Sequence, residues 1–142
     1  IWVTPSGFRV TQKLMKQDWK RVELKLFGTT NLRVGTKDEV GVDLLHHRNA
    51  TAPNLIHSLD ASLLHLSVQD FDAPISLIHD SVLCRATDMD ILSTKVRETY
   101  MQLFAKNDFL TTFADSIGAE DEPPIIGDLE PEKVIESTYF FC

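Results

Sequence analysis

Between Ile75 and Cys84 the chain reads Ile-Ser-Leu-Ile-His-Asp-Ser-Val-Leu-Cys, two short apolar, strand-prone runs separated by the polar pair His79-Asp80. Strand formers on either side of a two-residue polar break predict a tight β-hairpin with Asp80 at its exposed bend. A carboxylate in that place is held on rigid backbone. Its hard oxygens suit Mg²⁺, an ion that can reach a substrate phosphate at the same time. Aspartate also occupies hairpin turns for backbone reasons alone, so the segments around it decide its meaning.

Upstream, residues 51–69 predict a helix with Pro53 in its first turn, where a proline is tolerated. Ala52, Leu55, Ile56, Leu59, Leu63 and Leu66 fall in a stripe about 100° wide, the side expected to be buried. His57 and Asp60 lie on the flank of that stripe, spaced i, i+3. Before the helix, residues 1–12 read as two short strands around the Pro5-Ser6-Gly7 turn. Residues 20–34 alternate, with Val22, Leu24 and Leu26 on one side and Arg21, Glu23 and Lys25 on the other. Period two predicts a half-buried strand, a turn at Gly28-Thr29-Thr30-Asn31 and a return at Leu32-Arg33-Val34. Residues 35–50 are polar with two glycines and read as a loop.

Downstream of the bend, Thr87-Asp88-Met89-Asp90 reads as a helix start. The helix it opens runs to about Lys106, with Ile91, Leu92, Val96, Tyr100, Leu103 and Phe104 as its apolar set. A shorter helix is expected over about 108–117, an acidic linker over Glu120–Pro124, and a last helical turn from Pro131 to Glu136. The chain then ends in Tyr139-Phe140-Phe141-Cys142, expected to be buried for its aromatic content.

The 142 residues carry a formal net charge of −7, unevenly spread. Residues 1–48 hold nine Lys and Arg against five Asp and Glu, and the remainder five against sixteen. The basic excess is therefore confined to the segment with the alternating hairpin, where phosphate contact is electrostatically possible. No apolar run approaches the roughly 20 residues of a bilayer span, and no signal-peptide pattern is present. Two cysteines, Cys84 and Cys142, suggest reduced thiols rather than a disulfide framework.

Four segments taken in order resemble the single-subunit, phage-type and mitochondrial, DNA-directed RNA polymerases. Trp2-Val3-Thr4-Pro5-Ser6-Gly7-Phe8 is similar to the family's entry into its promoter-reading hairpin, and Ala52-Pro53-Asn54-Leu55-Ile56-His57-Ser58-Leu59-Asp60 to its Ala-Pro-Asn-x-x-His-Ser-x-Asp segment. His79-Asp80-Ser81 resembles palm motif C, and the aromatic C-terminus resembles the family's end, closer to mitochondrial than to phage members. The fold implied is α+β: the end of the fingers with its specificity-type β-hairpin over 1–50, then the C-terminal part of the palm over 51–142. Because the chain starts at Ile1 and the family's first palm aspartate and nucleotide-handling helix have no counterpart here, it is expected to be a C-terminal piece, inactive alone.

The activity implied for the parent is template-directed transfer of nucleotides from NTPs to an RNA 3′ end with two Mg²⁺ ions. Asp80 is implied as catalytic and metal-binding. His57, Arg21, Glu23, Asn31 and Arg33 are implied to contact nucleic acid, with arginine matching guanine edges and glutamate cytosine N4. His79 and Asp60 are implied in supporting places, Asp60 by bonding backbone or His57, and His79 by pointing to the side opposite Asp80. The Cys142 carboxylate is placed near the centre. Implied partners are promoter and template DNA, RNA product, NTP and the upstream remainder of the polymerase, with no membrane. The implied location is intracellular, in the host cytoplasm for a phage source and the mitochondrion for an organellar one.

Other classes fit less well. A His-Asp phosphohydrolase would carry its pair on a helix with further histidines at helical spacing, whereas these flanks are strand-like. A zinc site from His46, His47, His57, His65 and Cys84 lacks ligand spacing. The remaining alternative is a non-catalytic DNA-binding or interaction domain in which Asp80 is incidental.

Overall fold

The structure, a computed structural model, describes residues 1–25, 28–106, 108–125 and 127–140. In chain order the elements are β1 (Trp2–Val3), β2 (Arg9–Val10), β3 (Met15–Leu24), β4 (Thr30–Val42), α1 (Leu44–Val68), β5 (Ile75–Ile78), β6 (Ser81–Cys84), α2 (Met89–Lys106) and α3 (Phe109–Ile117). Single 3₁₀ turns occupy Ala86–Asp88 and Pro131–Val134. Among the described residues the strands pair as three separate antiparallel hairpins, so the mixed α+β class expected from the sequence holds. Contacts divide the chain into two compact units, Ile1–Thr11 with Leu55–Cys142, and Gln12–Asn54.

In the unit Gln12–Asn54, β3 and β4 form a long ribbon pairing Glu23 with Asn31, Arg21 with Arg33 and Trp19 with Gly35. Thr30 and Asn31, expected in the turn, are strand residues paired with Leu24 and Glu23. Leu26 lies outside the described residues. The period-two alternation is real, but the strand is not half-buried: every residue from Lys20 to Leu24 is exposed. A two-stranded ribbon has two faces and covers neither by itself.

Residues 35–50 are not a loop. Strand β4 continues to Val42, with bulges opposite Gln17 and a positive φ of 141° at Gly41, and α1 begins at Leu44. Asp43 starts the helix: its Oδ1 accepts the His46 N–H at 3.0 Å and its carbonyl accepts the His47 N–H at 2.9 Å. The helix therefore opens seven residues before 51, and Pro53 sits in its interior rather than its first turn. A proline there cannot donate to the Asn49 carbonyl. Side chains reinforce the turn before it, Thr51 Oγ1 and Gln12 Nε2 donating to the His47 carbonyl at 2.7 and 3.1 Å.

The other unit is built around Trp2, Leu55, Leu59, Leu92, Val96, Leu103 and Val134. Strands β1 and β2 close over the turn 4–8, where the Thr4 N–H donates to the Phe8 carbonyl at 2.9 Å. The indole N–H of Trp2 donates to Ser58 Oγ at 3.0 Å, Ser6 Oγ to Ser62 Oγ at 3.2 Å, and the Trp2 ring meets Phe113 edge-on at 6.0 Å. This hairpin turns the buried face of α1 toward Leu55, Leu59 and Ser62, leaving Ala52 and Ile56 exposed. Burying serine is tolerable because each hydroxyl also donates within the helix, Ser58 to Leu55 and Ser62 to Ser58, both at 2.7 Å.

In α2, Leu92, Val96 and Leu103 are buried as expected, while Ile91 and Phe104 are exposed. The expected cap at 87–90 is replaced by the 3₁₀ turn Ala86–Asp88, whose Asp88 carboxylate accepts from Arg85 Nε at 2.7 Å. Helix α3 is capped by Asp108, which accepts the Thr111 N–H at 3.1 Å, and it ends at Gly118 with φ 66°. No described helix is long and apolar enough to cross a membrane.

Candidate active site and nucleic-acid interface

The pairing of Ile78 with Ser81 leaves His79-Asp80 as a two-residue turn. His79 takes φ 56°, the left-handed first position that the favoured hairpin turns require and that a non-glycine residue adopts at a cost. Both residues are in the turn, so alternation along a strand does not separate them. Asp80 is exposed, and Ser81 Oγ donates to its Oδ1 at 3.5 Å.

Asp80 borders a cleft of 480 Å³ whose walls come from α1 (Asp60, Leu63, Leu64), the β5–β6 hairpin (Asp80, Ser81, Val82), α2 (Met89, Leu92, Val96) and Phe140. Two acidic residues thus border one mostly apolar recess. Asp60 is exposed at the cleft, and among the described residues no hydrogen bond joins it to backbone or to His57. His57 is exposed one turn earlier on α1 and does not line the cleft. Among the described residues no three His, Cys, Asp or Glu groups converge as a complete metal cage. A pair of hard oxygens at the edge of a cleft fits Mg²⁺ as part of a set, since that ion keeps waters and substrate phosphates among its ligands.

The chain end is divided. Tyr139 is 93% exposed, contrary to the expectation of burial. Phe140 lines the cleft, meets Tyr100 edge-on at 5.0 Å and lies under the Arg97 guanidinium at 5.4 Å. Cys142 lies outside the described residues, as does Phe141. Phe140 belongs to the aromatic chain end that the sequence places by the cleft, whereas Met89 carries no such signal in the sequence.

On the β3–β4 ribbon, Arg21, Glu23, Asn31 and Arg33 share one face, as the alternation predicts. Arg21 Nε donates to Asn31 Oδ1 at 3.1 Å, which fixes one guanidinium in place. Arg21 and Arg33 stand directly opposite each other, a like-charge pair that weakens a bare ribbon.

A family model described as DNA-dependent RNA polymerase matches residues 1–122. Among curated relatives, the chain is 34% identical over 145 residues to the DNA-directed RNA polymerase of Pseudomonas phage phiKMV, covering 99% of this chain and 18% of that protein. It is 31% identical over 157 residues to the polymerase of Enterobacteria phage K11, covering 99% and 17%. It is 35% identical over 150 residues to the mitochondrial DNA-directed RNA polymerase 1 of Arabidopsis thaliana, covering 99% and 15%. The chain spans less than a fifth of the length of these relatives. It belongs to the DNA-dependent RNA polymerase family, in the branch shared by phages and plant organelles.

Proposed function

We propose that this chain is the C-terminal part of a single-subunit RNA polymerase, with the end of the fingers over 1–50 and the last palm segment over 51–142. The parent transfers nucleotides from NTPs to an RNA 3′ end on a DNA template, with Mg²⁺. The observation that carries this reading is Asp80 at the tip of a two-residue turn, on the same cleft as Asp60.

Bound magnesium supplies charge neutralisation on the triphosphate and its leaving group. Asp80 presents a hard oxygen at a place fixed by paired backbone on both sides, and Asp60 adds a second negative group across the recess. Leu63, Leu64, Val82 and Leu92 wall the cleft with hydrocarbon, which strengthens electrostatics inside it. The first palm aspartate comes from upstream chain. His57 contacts the template–RNA pair, and His79 supports the turn. Arg21, Glu23, Asn31 and Arg33 contact promoter DNA.

The test is Asp80→Asn in the polymerase that includes the upstream chain. Nucleotide addition from a preformed primer should fall by several orders of magnitude while promoter binding stays near normal. Normal chemistry with lost promoter binding would move Asp80 to the DNA-binding surface and support a non-catalytic reading.

A further inference from the structure

The ribbon carries a feature that neither metal chemistry nor major-groove reading uses. Trp19 continues the row Trp19, Arg21, Glu23 on β3 and is paired with Gly35 on β4. Its indole is 59% exposed. A Cβ placed on Gly35 would meet the ring at Cη2 and Cζ3, 3.6 Å away, and Gln17 Oε1 at 3.3 Å. The ring therefore lies against bare backbone where its cross-strand partner has no side chain, and a register shift between Gln17 and Trp19 accompanies this placement. Part of the six-membered ring thus lies beside the Gly35 backbone, while more than half of the residue is open to solvent.

The ring borders two hollows, one of 590 Å³ lined also by Lys13, Lys16, His46 and the single carboxylate Asp43, and one of 430 Å³ lined also by Arg21, Asn31 and Arg33. Lys13 is paired with Glu39 at 3.3 Å, so Lys16, Arg21 and Arg33 are the cations left for a ligand. Arg21 and Arg33 face each other across the ribbon, a like-charge pair that an anionic ligand would relieve. Lysines and arginines match a phosphodiester backbone, and an open aromatic face matches a nucleobase. Bases within a duplex are covered by their neighbours, so the base must be unstacked.

We propose that Trp19 is a stacking platform for one unpaired nucleobase of a strand whose phosphates run over the cations on either side of it. The inference rests on the ribbon being a nucleic-acid interface, and the shared chemistry is that of single-stranded DNA or RNA.

The test uses the 142-residue chain. It is titrated with a short single-stranded DNA, the RNA of the same sequence, and the corresponding duplex DNA, following oligonucleotide anisotropy and tryptophan emission. Trp2 is buried, so quenching reports on Trp19, and Trp19→Phe gives the background. Single strands are expected to quench the emission, and the tighter of the two identifies the source as DNA or RNA. Trp19→Leu should weaken single-strand binding about tenfold without changing its salt dependence, while Trp19→Phe keeps most of the affinity. Arg33→Gln should lower the salt slope by about one, and circular dichroism verifies that each variant folds. Unchanged single-strand affinity in Trp19→Leu, with Arg33→Gln still weakened, overturns the platform and leaves the interface standing. Equal quenching by duplex overturns the requirement for an unpaired base. Binding of none of the three nucleic acids, or no effect of either substitution, overturns the interface and the platform together.

Discussion

Asp108 shows how one residue sets local structure and its response to acid. Its carboxylate accepts from the Thr111 hydroxyl at 2.5 Å and from the Thr111 N–H at 3.1 Å, and these bonds hold its pKa below the ordinary aspartate value of 3.8. A depressed folded-state pKa contributes stability that is present above the unfolded value and lost as pH falls through the folded one. Acidification through 3.8 and below should therefore release the start of α3, and Asp108→Ala should remove that part of the pH dependence. Urea midpoints of the two proteins across this range check it; parallel curves would show that the cap has no linkage to stability. The capping residue Asp43 is a parallel case. An aspartate just ahead of the apolar pair Leu44-Leu45 is a helix-start signal in the sequence, and Pro53, further on, is accommodated inside the helix it opens.

Elements here are joined by few, specific contacts, and α2 carries the clearest. Arg97 donates to the Val134 carbonyl at 2.6 Å and to the Ser137 carbonyl at 2.5 Å, and its guanidinium lies over Phe140. One side chain thus holds the 3₁₀ turn Pro131–Val134 and the ring that closes the cleft. Arg97→Met keeps much of the hydrocarbon stem and removes the charged donors. Loss of a charged hydrogen bond costs about 1.5–3 kcal/mol, so the variant should unfold about 2 kcal/mol more readily. Amide exchange over residues 131–140 should quicken more than in α1, followed by mass spectrometry; unchanged exchange would mean that the turn is held by packing alone.

Across the whole chain charge is separated, with a basic excess in the unit bearing the ribbon and an acidic excess in the remainder bearing the cleft. The relatives are more than five times longer, and the cleft brings two carboxylates rather than a closed set of ligands. The 142-residue chain alone is expected to show no template-dependent nucleotide incorporation. Its Mg²⁺ affinity should be millimolar or weaker, since the ion dehydrates reluctantly and depends on substrate phosphates. Calorimetry measures this directly. Micromolar binding would require a third ligand within this chain, and incorporation of nucleotides would require a complete catalytic centre in it.

What residues 75–84 determine is local: strand formers around a polar pair can close only as a tight hairpin, so the bend at Asp80 was legible in sequence. The helical periods of α2 and α3 and the short N-terminal hairpin were legible for the same reason, since each depends on neighbours within a few residues. The sequence motifs also carried the family. Tertiary structure decided the rest. The buried face of α1 turned to Ser58 and Ser62 because Trp2 and Ser6, more than fifty residues away, supply their partners. Residues 35–42 became strand because β3 offers its backbone groups to them. Asp60 joined Asp80 on one cleft only when α1 and the hairpin packed around Leu92 and Val96. Hydrogen-bond pairing and burial between distant segments have no period in the sequence, and so the site is decided by the fold.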